Sequence, residues 1–188
     1  MVKEISAKQV AELRAKTGAG MMDCKKALEE AGGDFAKADK RAERVASEGL
    51  IESYIHFNGK IGVMVELGCE TDFVARTDDF RALAKDLCLH IASARPMAVS
   101  KEQVPADVVE REKRIFEAQA VEEKKPEAMR EKIIQGRLKK FFEETVLLEQ
   151  KFIKDDKVTV GDLVKALAGK TGENVQVRRF ARFELGAD

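Results

Sequence analysis

The 188-residue sequence predicts an α+β fold: an N-terminal three-helix bundle, then a three-stranded antiparallel sheet packed with helices on one side. Three observations carry that prediction. Helix caps and glycine breakers recur at short intervals over residues 1–47. The period then switches to strict alternation on both sides of Asn58-Gly59, the strongest short hairpin signal. After a long helical tract the closing stretch ENVQVRRFARFEL alternates again, as a third strand joining the hairpin would.

Ser6 and Gln9 stand at capping-box spacing, with Ile5 and Val10 placed as a hydrophobic staple. The first helix runs to about Lys16 and puts Val10 and Leu13 on one face. Thr17-Gly18-Ala19-Gly20 permits a sharp reversal. A second helix spans Met21 to Ala31 and stops at Gly32-Gly33. Asp34 is placed to cap a third, expected to reach about Ser47.

Ile51, Ser53, Ile55 and Phe57 then alternate with Glu52, Tyr54 and His56. Beyond the turn, Ile61, Val63, Val65 and Leu67 alternate with Gly62, Met64, Glu66 and Gly68, so the hairpin is expected to have one apolar face. Thr77, followed by Asp78 and Asp79, caps a helix bearing Phe80, Leu83, Ala84, Leu87, Cys88, Ile91 and Ala94 at helical spacing, with Pro96 beyond its end. Charged helices follow over roughly 106–122 and 126–149, the second weakened at Gly136. Thr159-Val160-Gly161-Asp162 begins a last helix to about Lys170. In the closing strand Val175, Val177, Ala181, Phe183 and Leu185 share one parity, with Arg179 and Phe180 as the exceptions.

The 34 basic and 34 acidic side chains cancel, which removes any general attraction to nucleic acid or an anionic membrane. A protein partner or a small ligand fits better. Cys24, Cys69 and Cys88 lie far apart with no C-x-x-C, the pattern of reduced cysteines. No apolar run is long enough to span a membrane, and MVKEISAKQ lacks a signal-peptide core. The expected location is the cytoplasm, or the matrix or stroma of an organelle.

His56 and His90 have no companions at ligand spacing, so no metal site is expected, and His90 is assigned to the exposed side or edge of its helix. No nucleophile and base can be paired, so neither catalytic residues nor a cofactor is expected. Gly18 and Gly20 precede a helix but lack phosphate-loop spacing and read as turn glycines. VQVRRFARF mixes arginine with phenylalanine, as single-strand binders do; an edge strand with cationic cover is the preferred reading and a nucleic-acid-binding module the alternative.

One stretch, CETDFVAR at 69–76, leaves two readings open. Thr71 caps a helical turn, Asp72 complements its N-terminus, and Phe73 and Val74 are core. Alternatively Phe73 is an exposed anchor with Asp72 an anionic contact beside it.

Two motifs carry a family resemblance. LRAKTGAGMMDCKKAL, residues 13–28, and ELGCETDFVAR, residues 66–76, closely resemble the two signatures of translation elongation factor Ts. EGLIESYIHFNGKIGVMVEL, LCLHIASARP, GRLKKFFEETVLLEQKFIKDDKVTVGDL and RFARFELG agree in order, so the resemblance covers nearly the whole chain. The chain is similar to short-form members with a single core subdomain, where longer members carry two related halves. Gly68 stands where the second signature usually has Asn. The connection after GGDFAKA is shorter than the family norm by about a dozen residues, which bears on the reach between modules.

The resemblance implies a protein that is not an enzyme but the guanine nucleotide exchange factor for elongation factor Tu, binding its GDP-bound and nucleotide-free forms. It implies a ubiquitin-associated-type helical module with its linker over 1–47 and a core, dimerisation-type domain over 48–188. Arg14, Met21 and Met22 would contact the nucleotide-binding domain of elongation factor Tu. Thr71, Asp72, Phe73 and Val74 would enter near its Mg²⁺ site, with Phe73 as the wedge. Short-form members resemble homodimers that bind two copies of elongation factor Tu. No direct contact with nucleic acid or membrane is expected.

Overall fold

The computed structural model describes residues 5–17, 21–42 and 46–187, and of 14–17, 23 and 39–42 it describes only the backbone. Three helices open it: α1 (Ala7–Thr17), α2 (Met21–Glu30) and α3 (Phe35–Ala42). The Ser6–Gln9 box forms as its spacing dictates. The Ser6 amide donates to Gln9 Oε1 at 3.0 Å and the Gln9 amide to Ser6 Oγ at 3.3 Å. Gly32 and Gly33 take positive φ, and the Gly33 amide donates to the Leu28 carbonyl at 2.9 Å, closing α2. Asp34 Oδ1 accepts from the amides of Ala36 and Lys37 and starts α3. The described part of α3 ends at Ala42, and Ser47 is not helical, so the third helix is shorter than expected. The reversal expected at 18–20 lies outside the described residues. Val10, Leu13, Cys24, Ala27, Leu28 and Ala38 form a hydrophobic cluster of their own.

The sheet follows. β1 (Glu48–Ile55) and β2 (Ile61–Cys69) form the hairpin, and the last strand, β5 (Gln176–Glu184), adds on the far side of β2 in the order β1-β2-β5, all antiparallel. The hairpin turn closes with the Gly59 amide donating to the His56 carbonyl at 2.8 Å, Gly59 taking φ 67°. β2 is central and sets the inner face with Val63, Val65 and Leu67, all buried. Opposite them lie Tyr54, Glu52 and Leu50. The more apolar parity of β1 therefore faces out: Ile51 and Ile55 are exposed. This reverses the expected face of β1, because register, fixed by the turn, decides which parity meets the covered side.

β5 departs from the expectation in a second way. Leu67 pairs with Val177 but Glu66 pairs with Arg179, so Arg178 is an extra residue in a β-bulge. Val175 and Val177 point inward before it, and Phe180 packs against the core after it. Ala181 and Phe183 then join Ile51, Ile55 and Met64 on the outer face, all five exposed.

Among the described residues, helices cover the inner face of the sheet. A short α4 (Asp72–Ala75) leads into α5 (Asp78–Ala94), whose Phe80, Leu83, Ala84, Leu87, Cys88 and Ile91 enter the core. Thr77 Oγ1 accepts from the Phe80 amide, as expected of the cap. α6 (Ala106–Glu122) and α7 (Glu127–Thr145) form an antiparallel hairpin tied by Arg137, which donates to Glu123 Oε1 at 2.7 Å and Gln119 Oε1 at 3.0 Å. A small hairpin, β3 (Lys151–Phe152) and β4 (Asp155–Thr159), was not legible, being too short and charged to show alternation. α8 (Val160–Thr171) starts on the expected Thr159–Asp162 capping box.

His90 is fully buried, not on the exposed side of α5. Its Nδ1 accepts the Ile153 amide at 3.3 Å, so Nε2 carries the hydrogen and donates to Gln150 Oε1 at 2.9 Å. Helical spacing placed it off the main apolar stripe, and the β3 segment covers it there.

Candidate functional site

The site is built where β2 hands over to the helices. β2 ends at Cys69, and the next residues must leave the ladder, freeing the amides of Glu70 and Thr71. Both amides donate to Glu173 Oε2, at 3.1 and 3.0 Å. Thr71 Oγ1 donates to Glu173 Oε1 at 2.5 Å. In return, Glu70 Oε1 accepts the Asn174 amide at 2.7 Å. Thr71 is also the N-cap of α4: its backbone is extended and its hydroxyl accepts the Val74 amide at 3.4 Å. Cys69 donates its thiol to the Thr71 carbonyl at 3.1 Å. Burial, and then the nearby Glu173 carboxylate, push that thiol up from its ordinary value, which keeps its hydrogen in place.

One turn of helix fixed this way sorts its side chains. Ala75 is buried and Val74 packs against the core, while Phe73 is 81% exposed. Asp72 is half-buried, with Arg76 Nη2 2.8 Å from its Oδ2. Thr77 then ends the turn, its hydroxyl donating to the Val74 carbonyl at 2.8 Å. Of the two readings of CETDFVAR, the geometry selects the outward Phe73 and keeps Val74 inward.

In α2, Met21 and Met22 stand side by side at the N-terminus, 56% and 54% exposed, while Cys24, Ala27 and Leu28 face their cluster. The Arg14 side chain lies outside the described residues. His56 Nδ1 meets the Tyr54 hydroxyl at 2.8 Å. Cys88 is a buried filler, its thiol pushed up to about 12 by burial and by the charge of Glu52. The arginines of the closing strand are engaged within the chain. Arg178 donates to the Ala46 carbonyl at 2.6 Å, Arg179 pairs with Glu66 at 2.6 Å, and Arg182 reaches the Ala92 carbonyl and Glu184. That weakens the nucleic-acid alternative.

The family model for elongation factor Ts matches residues 6–187. The chain belongs to the elongation factor Ts family. The elongation factor Ts of Solidesulfovibrio magneticus is 57% identical over 196 aligned residues, covering 98% of each chain. That of Anaeromyxobacter sp. strain Fw109-5 is 56% identical over 195, covering 97% of this chain and 89% of the relative. That of Syntrophus aciditrophicus is 51% identical over 196, with 98% of both covered. These alignments are longer than the chain, so they place gaps in it. The family is one of translation elongation factors, and membership accounts for both recognised signatures.

In the elongation factor Ts signature here, Gly68 sits directly opposite Gly49. A Cβ at Gly68 would stand 3.1 Å from the Ala46 carbonyl oxygen and 3.1 Å from Arg178 Nε, so the smallest residue suits this crowded position. Glu70 and Glu173 are the residues that sequence reasoning missed. Glu70 lay inside the signature, but nothing marked it as a latch. Glu173 stands 102 positions beyond Thr71, and only the fold brings them together.

Proposed function

We propose that this chain is the guanine nucleotide exchange factor for elongation factor Tu. It engages the GDP-bound form through Arg14, Met21 and Met22 and drives Thr71, Asp72, Phe73 and Val74 toward the Mg²⁺ and phosphate site. The observation that carries this reading is Phe73, an exposed aromatic on a doubly capped turn inside the family's own motif. An exposed ring held this way is a binding anchor, because little entropy is lost when it docks.

The mechanism is differential binding. Elongation factor Tu holds GDP through Mg²⁺ and backbone donors around the phosphates. A partner that binds its open, metal-poor state better than its closed state weakens GDP by the same coupling free energy. Phe73 supplies the wedge, and the Asp72 carboxylate acts on the Mg²⁺ site indirectly. No bond in the nucleotide is broken, so the chain is not an enzyme and needs neither a cofactor nor a metal of its own.

Residues 1–47 serve as the ubiquitin-associated-type docking module with its short linker, and 48–188 as the core. The core pairs with a second copy through the open sheet face of Ile51, Ile55, Met64 and Phe183, giving a two-to-two complex. The setting is the cytoplasm; among the described residues no helix is long and apolar enough to cross a membrane. Release of a fluorescent GDP analogue from elongation factor Tu tests the reading. The chain should accelerate it in proportion to its concentration, and an unchanged release rate would end the proposal.

A further inference from the structure

We infer that Glu173 is a positioning residue for exchange: it locks the 71–74 turn so that Phe73 and Asp72 already face outward in the free protein. This rests on the exchange reading above.

The ring of Phe73 is 81% exposed, so packing does not set its direction; the backbone of its turn does. That backbone is held on its inner side by Val74 and Ala75 against the core and, at its start, by polar bonds from one side chain. Glu173 accepts the Glu70 amide, the Thr71 amide and the Thr71 hydroxyl, using both carboxylate oxygens. Charge-assisted bonds of this kind are the strong ones. The hydroxyl bond has a second effect. With its hydrogen committed to Glu173, the Thr71 oxygen keeps a lone pair aimed at the Val74 amide, which is the cap of α4.

The carboxylate is itself delivered by local structure. Gly172 takes the left-handed conformation at φ 73° and ends α8, and the Glu173 amide donates back to the last residue of that helix, Thr171 Oγ1, at 3.4 Å. Asn174 then bonds Glu70, so the two segments latch each other in both directions. Without Glu173, two amides lose their acceptor and the cap hydroxyl is free to rotate. Phe73 would then have to be ordered during the exchange step itself.

The experiment compares the wild type with Glu173→Ala, Glu173→Gln and Phe73→Ala in release of fluorescent GDP from elongation factor Tu, resolved into kcat and KM. Amide hydrogen exchange and melting are measured on the same proteins. Glu173→Ala should lower kcat at least tenfold with KM within threefold, since Met21 and Met22 are untouched. Its Glu70, Thr71 and Val74 amides should exchange faster while the core amides stay near wild type and the melting temperature falls only by the loss of these bonds. Glu173→Gln keeps the amide bonds through its remaining oxygen and should lose only twofold to fivefold.

Wild-type kcat/KM in a folded Glu173→Ala protein overturns the proposal. Should that variant fail to fold, wild-type kcat/KM in Glu173→Gln overturns it instead. The controls separate the two levels: no acceleration of release by the wild type rejects the exchange reading, whereas slow exchange in Phe73→Ala beside a fully active Glu173→Ala rejects only the positioning role.

Discussion

Phe73 and Phe80 stand seven positions apart and have opposite surroundings, 81% exposed against 0%. Removing a ring that is already in water costs almost nothing. Phe73→Ala should therefore keep its stability within about 0.5 kcal/mol while exchange drops sharply. Phe80→Ala empties a core site and should lose about 3–5 kcal/mol. Urea unfolding of both, beside the GDP-release assay, checks the contrast. His90 is the other residue whose surroundings decide its chemistry. Burial lowers its pKa below the ordinary 6.5, with the Gln150 bond opposing. The unfolded chain then binds more protons than the folded one as pH falls through about 6.5, so acidification destabilises the fold. The stability that His90 contributes is full above that value and is lost on the way down to the folded pKa. Unfolding free energies at pH 7.5 and 5.5 should fall more for the wild type than for His90→Gln. The same slope in both proteins would contradict this assignment.

At the scale of elements, caps and turns were legible because they are local chemistry. Ser6–Gln9, Asp34, Asn58-Gly59, Thr77 and Thr159–Asp162 each act through atoms within four residues of one another. Strand faces were not legible. β1 carries two isoleucines on its exposed parity, and its inward parity includes Glu52. In β5 the bulge at Arg178 changes parity midway, and alternation read along the chain cannot register an inserted residue. The Gly49–Gly68 pair shows how tightly the edge is then built. Gly49 has φ 141°, and a side chain there would run into the Leu67 carbonyl. Gly49→Ala should cost about 1–3 kcal/mol from the backbone alone, measurable as a lower urea midpoint with an unchanged slope.

At the scale of the whole molecule, the described helices cover one face of the sheet and leave the other open. Ile51, Ile55, Met64 and Phe183 are between 49% and 69% exposed on that open face. With a second copy as occupant, the wild type should sediment as a dimer, and its melting temperature should rise with concentration. Ile55→Lys, which places a charge in the same row as Phe183 on that face, should sediment as a monomer and melt independently of concentration. A wild type that is monomeric at every concentration would remove the pairing proposal while leaving exchange by the single chain open to test.

The sequence by itself determined the fold class, nearly every helix, the hairpin turn and the family, because each rests on short-range periodicity, capping or a contiguous motif. It also located the 71–74 turn. It left the direction of Phe73 open, since a cap specifies a turn but not which side chains of that turn meet the core. The tertiary structure decided that direction, together with the burial of His90, the outward parity of β1 and the Glu173 latch. Each of those depends on groups far apart along the chain, and only packing decides which of them meet.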